Sequence, residues 1–280
     1  MNARLPHDLR FGAMALAVAD LERSIDYYRR RLGMAVLEQE ERRAALGSGG
    51  RRLLELEERP GAKRDPDAAD LFHFALRVPS RPALGRQLAR LLATDTRLTG
   101  ASDHAVSEAL YLRDPDGHGI EIYRDRPRDT WYRNGRVHMT TTALDLDDLL
   151  KDAPAGAGDQ DGLDPYTVIG HVHLETLDLE RSKGFYVGQL GLAVTAERPG
   201  ATFMSKGGYH HHVAVNTWGG KTRPAEDHQG RIGMLWFEVE LPDRSGVAAL
   251  AEDLGAGSGD DQALVIRDPN GLAIRFVAQA

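Results

Sequence analysis

Two segments, FGAMALAVADLERSIDYYRRRLGM from Phe11 and IGHVHLETLDLERSKGFYVGQLGL from Ile169, superpose without a gap. They share Gly12 with Gly170, the run DLERS (Asp20 to Ser24, Asp178 to Ser182), Tyr28 with Tyr186, and a closing LG at Leu32 and Gly33 and at Leu190 and Gly191. Each opens on an alternating strand and passes into a stretch where Ile25, Tyr28 and Leu32, or their counterparts, fall at helical spacing. The Asp before LERS reads as a helix N-cap and the glycine after the leucine as a helix stop. A looser pair follows: LFHFALRVPSR from Leu71 matches MLWFEVELPDR from Met234 in pattern, and YLRDPDGHGIEIY from Tyr111 matches VIRDPNGLAIRFV from Val265. Such self-similarity predicts four related quarters, each β-α-β-β-β, in an α+β chain. They span about 9–60, 70–125, 167–220 and 230–280, so 1–125 holds an N-terminal pair and 167–280 a C-terminal pair. Residues 126–166 read as a linker with a short helical run, LDLDDLLKD, and a Gly/Asp-rich centre.

A chain of 280 residues with 41% hydrophobic composition buries a core without difficulty. The net charge of -7 and the scattered arginines argue against a nucleic-acid partner. The start MNARLPHDLR lacks the apolar stretch of a signal peptide, and the run AMALAVA at 13–19 is too short to span a bilayer, so a cytoplasmic location off the membrane is expected. With no cysteine, thiolate nucleophiles, Fe–S clusters and cysteine zinc sites are excluded. Any metal must be held by His, Asp, Glu or backbone.

The four quarters, the DPDG turn before a terminal strand and the DLERS helix with its FY and LG resemble the vicinal-oxygen-chelate superfamily, the group of glyoxalases, bleomycin-resistance proteins and extradiol dioxygenases. The resemblance covers nearly the whole chain. More narrowly, SDHAVSEALYLRDPDGHGIEIYRDRPRDTW from Ser102, and IGHVHL with GGYHHHVAVNTW from Gly207, are similar to its catechol-2,3-dioxygenase branch. The resemblance implies cup-shaped mixed sheets, each built from two quarters with helices outside, and a metal inside on ligands from first and last strands.

In the extradiol enzymes the ligands are a His from the first strand of one quarter, a His from the first strand of its partner, and a Glu from that partner's last strand. The matching first-strand positions here are Ala13, His73, His171 and Trp236, and the last-strand positions of quarters two and four are Glu121 and Arg275. Neither sequential pairing completes a set. Quarters two and three together give His73, Glu121 and His171, so an active cup is expected from them and an inactive one from quarters one and four. The pleat agrees: with Phe72, Phe74, Leu76 and Val78 toward the helices, His73 points inward, as do His171, His173, Glu121 and Tyr123 by the same alternation. Two histidines and one carboxylate leave adjacent open positions on Fe(II), and Mn(II) meets the same ligand set.

The resemblance also implies a His and a Tyr near the DPxG turn, matched by His104 and Tyr111, and an acid–base His on the last strand of quarter three, within His210 to His212. Both His211 and His212 align with that position. If Val213 and Val215 face the helices, His212 faces the cup and is the first choice, with His211 second. Tyr123 is expected to touch substrate, His173 to touch substrate or simply to hydrogen-bond, and the DPDG and DPNG turns to be structural. His7, His118, His138 and His228 match no role. The expected activity is therefore Fe(II)-dependent extradiol cleavage of a small aromatic diol by O₂, with self-association into a homo-oligomer left open. Two alternatives stand beside it. A glyoxalase-like isomerase or transferase wants a fourth protein ligand, and a metal-free binding protein of the bleomycin-resistance type leaves the inward Glu121 unexplained.

Overall fold

A computed structural model describes residues 5–158, 162–226, 230–256 and 263–279. Quarter one runs β1 (Arg10–Val18), α1 (Leu21–Tyr27), β2 (Ala35–Gln39), β3 (Arg43–Ser48) and β4 (Arg51–Glu58). A short β5 (Lys63–Arg64) precedes quarter two: β6 (Leu71–Arg77), α2 (Arg81–Ala93), β7 (Gly100–Asp103), β8 (Ser107–Arg113) and β9 (Gly119–Asp125). The connecting segment holds a small hairpin of β10 (Tyr132–Arg133) and β11 (Arg136–Val137), then β12 (Thr142–Ala143) and α3 (Leu146–Lys151). Quarter three is β13 (Val168–Glu175), α4 (Leu179–Lys183), β14 (Ala193–Arg198), β15 (Ala201–Ser205) and β16 (Val213–Asn216). Quarter four is β17 (Arg231–Leu241), α5 (Arg244–Leu254), β18 (Ala263–Arg267) and β19 (Ala273–Ala278), one strand fewer among the described residues than the expected β-α-β-β-β. Among the described residues no helix is long and apolar enough to cross a membrane.

The strands form two large mixed sheets. One has the order β18-β19-β17-β1-β4-β3-β2, with β5 on β17, and the other β12-β7-β8-β9-β6-β13-β16-β15-β14. First quarter is thus joined to fourth through antiparallel β1 and β17, and second to third through antiparallel β6 and β13. Phe74, Leu76, Ile120, Ile122, Val172 and Leu174 alternate along the central strands of the second sheet and are fully buried in one core with Leu84, Leu88 and Leu91 of α2. Each such side chain contributes roughly 1.5–3 kcal/mol by leaving water.

The repeated DLERS motif caps both helices it opens: Asp20 accepts the Arg23 N–H at 2.9 Å and Asp178 the Arg181 N–H at 3.0 Å. A cap of this kind is worth about 1 kcal/mol. Each helix then widens into a π-helical turn, Tyr28–Leu32 or Gly184–Gln189. Gly33 and Gly191 follow with φ of 76° and 74°, a backbone that favours glycine. From these turns Tyr28 donates to Asp114 Oδ2 and Tyr186 to Asp268 Oδ2, at 2.9 and 3.1 Å. The second oxygens of the two aspartates accept backbone N–H groups of their own DPDG and DPNG turns. Buried hydroxyls are costly unless bonded, so these contacts fix each helix on the next quarter in sequence, whose strands lie in the other sheet.

One side chain departs from the alternation read off LFHFALRV. The β6–β13 ladder pairs His73 with His173 but Leu71 with Leu174, which leaves Phe72 as the extra residue of a β-bulge. Its ring lies inside the cup, 5.0 Å from His173 and 5.6 Å from Trp218, and not under the helices.

Candidate active site

Across the nine-stranded sheet, Tyr111 on β8, Glu121 on β9, Ala75 on β6 and His171 on β13 stand side by side in register. Ala75 is what makes the middle of that row open. With only a methyl between them, Glu121 and His171 reach over it, and Oε2 lies 3.1 Å from Nε2. His73, two residues before Ala75 and so on the same face, brings its own Nε2 to 3.0 Å from the same oxygen. One ligand atom from each of His73, Glu121 and His171 lies within 4.8 Å of the others, and all three residues are buried. Tyr111 and His173 pack against the His73 ring at 5.7 and 4.9 Å, and His104 bonds to Tyr111 at 2.8 Å.

Burial would raise the Glu121 carboxyl, but His171 and His73 outweigh it and hold it well below the usual carboxylate range. Burial pushes His171 down despite the pull of Glu121, and pushes His173 far down with help from His73 and His171. An ionised carboxylate beside the unprotonated imidazole of His171 is the protonation state that a divalent cation requires. The hydrogen bonding points the same way. His73 Nε2 is buried and, for all its closeness to Glu121, lacks the direction of a hydrogen bond. Such an orphaned group costs about 1–3 kcal/mol. A cation at the convergence point would satisfy both Nε2 atoms and the carboxylate together, so the donor set fits a metal.

A cavity of about 560 Å³ opens in front of this point, with Phe72, Leu112, Phe203 and Trp218 among its apolar walls. Met139, Thr140 and Thr141 close one side, and Arg198 donates to the Met139 carbonyl. Sequence reading missed this wall, because the segment carries no periodicity that would distinguish it from a linker. His104 Nδ1 lies 2.8 Å from the Thr140 carbonyl, which can only accept, so that nitrogen carries the proton. The Tyr111 hydroxyl therefore donates to His104 Nε2, at 2.8 Å. Burial, then Glu121, raises the Tyr111 phenol well above its ordinary range and keeps it protonated. His173 is fixed at 3.0 Å by the Asn216 amide and packs against Trp218 and Phe203.

The structure corrects two expectations. His212, the first choice for the acid–base role, does not line the cavity: its Nδ1 bonds to Ser205 Oγ at 2.8 Å, and its ring stacks on Tyr209 beside Phe11. His211 lines the cavity instead, 4.2 Å from the His171 ring. The alternation that favoured His212 fails because β16 begins at Val213 and the histidine run lies in a bend outside it. Tyr123 likewise points inward but never reaches the cavity. The bulged backbone at Gly170 covers it, leaving no room for even a Cβ there, and its hydroxyl bonds to Tyr209 at 2.7 Å. His118 is buried against Asp114 of the DPDG turn at 2.7 Å, and His228 lies outside the described residues.

A buried 2-His-1-carboxylate cluster beside an apolar cavity, on a cup of paired β-α-β-β-β units, is the build of a dioxygenase of the vicinal-oxygen-chelate class with a candidate metal site. Residues 10–122 match the glyoxalase/bleomycin resistance protein/dioxygenase superfamily. The chain is 43% identical over 242 residues, 84% of each protein, to a catechol-2,3-dioxygenase of Bacillus subtilis strain 168. The fold is shared with a provisionally assigned dioxygenase of Bacillus subtilis (TM-score 0.65, 12% identity, 96% of this chain and 84% of that one). It is shared also with glyoxalase I of Zea mays (TM-score 0.54, 17% identity, 97% and 92%). The chain belongs to this superfamily, and within it to the extradiol dioxygenase family.

Proposed function

We propose that the protein is an Fe(II)-dependent extradiol dioxygenase that opens a catechol-type ring beside its two hydroxyls, with O₂ as co-substrate. The observation that carries this reading is the convergence of His73, His171 and Glu121 at the buried end of an apolar cavity. Three protein donors leave positions for both oxygens of a vicinal diol and for O₂. When bound there, iron supplies Lewis acidity toward the diol oxygens and one-electron chemistry toward O₂, and Mn(II) satisfies the same donors.

The remaining work falls to side chains. Phe72, Phe203 and Trp218 hold a flat ring and keep water away from it. His211, with Nδ1 engaged by His210 at 2.9 Å, offers Nε2 as the base for a diol proton. Tyr111, whose own proton is held by His104, presents its oxygen lone pairs to a substrate hydroxyl and orients the ring. The identity to a catechol-2,3-dioxygenase supports a small aromatic diol as the substrate class, and the cysteine-free composition fits a reducing cytoplasm. The isomerase reading is weaker because the cluster found among the described residues offers three ligands and not four.

The test is anaerobic loading with Fe(II), then catechol in air-saturated buffer while O₂ uptake and the yellow ring-fission product are recorded. Stoichiometric uptake that disappears in His171→Ala is the expected result. Metal bound without uptake over a panel of catechols would overturn the reaction, and no metal bound would overturn the metal centre as well.

A further inference from the structure

Behind the His211–His210 bond runs a further chain of hydrogen bonds that the reaction as described does not use. The Asp125 carboxylate, at the end of β9, faces three partners: Arg77 Nη1 at 3.3 Å, the Tyr209 hydroxyl at 3.1 Å and His210 Nε2 at 2.9 Å; Tyr209 in turn bonds to the Tyr123 hydroxyl at 2.7 Å. His210 is completely buried, and its Nδ1 lies 2.9 Å from His211 Nδ1. We propose that Asp125 and His210 are positioning residues that fix the proton of His211 on Nδ1 and so turn an unprotonated Nε2 toward the cavity.

The argument is one of counting protons. A carboxylate paired with Arg77 only accepts, so the single hydrogen of Tyr209 goes to Asp125, Tyr123 donates to Tyr209, and His210 donates from Nε2. A neutral imidazole with its proton on Nε2 has a lone pair on Nδ1. With His210 neutral, the two ring nitrogens 2.9 Å apart share one hydrogen, and it belongs to His211 Nδ1. His211 Nε2 is left with a lone pair and, among the described residues, no protein hydrogen-bond partner, on a ring that lines the cavity. Reversing any link reverses the last one: an amide in place of Asp125 can donate to His210 Nε2, which moves the His210 proton to Nδ1 and forces His211 to present N–H to the cavity. A carboxylate that holds a catalytic imidazole in its working tautomer obeys the same logic elsewhere, and its amide replacement there costs about 10⁴ in kcat.

The inference rests on the proposed dioxygenase reading for its catalytic meaning, yet it can be tested apart from it. The full chain, ¹⁵N-labelled at histidine and loaded with diamagnetic Zn(II), is studied by correlation spectra of the imidazole nitrogens, with His211→Gln to assign the signal. The parent should show His211 as the Nδ1–H tautomer and Asp125→Asn as the Nε2–H tautomer. With iron, Asp125→Asn should lose at least about 100-fold in kcat with KM for catechol little changed, and Asp125→Glu should recover part of the loss. An Nε2–H tautomer in the parent overturns the proposal by itself, even if Asp125→Asn fails to fold. So does an unchanged tautomer, or an unchanged kcat, in a folded Asp125→Asn. An Nδ1–H parent that lacks dioxygenase turnover would support the hydrogen-bond chain while overturning the reaction assigned to the site.

Discussion

The Tyr28 hydroxyl donates to the Asp114 carboxylate across 2.9 Å, tying the helix of the first quarter to the turn of the second although their strands belong to different sheets. Tyr28→Phe removes that bond and keeps the ring, and Asp114 retains His118 at 2.7 Å. A loss of about 1–2 kcal/mol in urea unfolding is expected, with iron binding intact. An unchanged unfolding midpoint would mean that the bond adds nothing to the fold.

Glu121→Ala should abolish iron retention as well as turnover, because the carboxylate is the only acid in the cluster. Iron content after loading and desalting is the measurement. Full occupancy would remove Glu121 from the ligand set.

Ala75 predicts a loss by addition. Ala75→Leu fills the gap over which Glu121 and His171 meet, at an overpacking cost of about 1–3 kcal/mol, without touching any donor atom. A folded protein with little retained iron is expected. Iron held at the parent level would show that the gap is not where the metal sits.

In the other sheet, Arg275 sits at the position equivalent to Glu121, with its guanidinium 4.3 Å from the Trp236 ring and 3.7 Å from Glu238. Arg275→Ala should leave kcat within about threefold, which is less than 1 kcal/mol of barrier. A loss like that of Glu121→Ala would relocate the working site to this sheet.

His212 makes stability depend on pH. Burial, with His210 and Arg77 adding to it, pushes its imidazole down to about 3 from an ordinary 6.5. Between those values the unfolded chain binds a proton that the folded chain does not, so stability rises with pH there. What is present above about 6.5 is lost as the pH falls toward 3, at up to about 1.4 kcal/mol per pH unit. Urea unfolding of the metal-free protein from pH 7.5 to 5 should slope less steeply in His212→Gln. Identical slopes would contradict a depressed His212.

The offset that aligns Phe11 with Ile169 made the quarters legible, and the first-strand positions pointed to a cup built from the second and third, because ligand-type residues stand only there. Period-two alternation then brought His73, Glu121 and His171 to one face, where their atoms meet. It failed wherever the chain leaves the regular ladder. Phe72 is turned by a bulge, His212 precedes the first residue of its strand, and Tyr123 is roofed by the backbone at Gly170. Asp125 and His210 lie 85 residues apart, so only the folded chain brings them together. Nothing periodic marks Met139 to Thr141 as a cavity wall, for their place follows from β12 pairing with β7.

The crossed pairing of quarters has a consequence for assembly. Residues up to 125 supply His73 and Glu121, those after 167 supply His171 and His211, and each half contributes strands to both sheets. The molecule is in effect a swapped dimer written on one polypeptide. No contiguous half carries all three residues of the candidate metal site, so a chain cut at Gly156 is expected to complete that site only when its two fragments recombine.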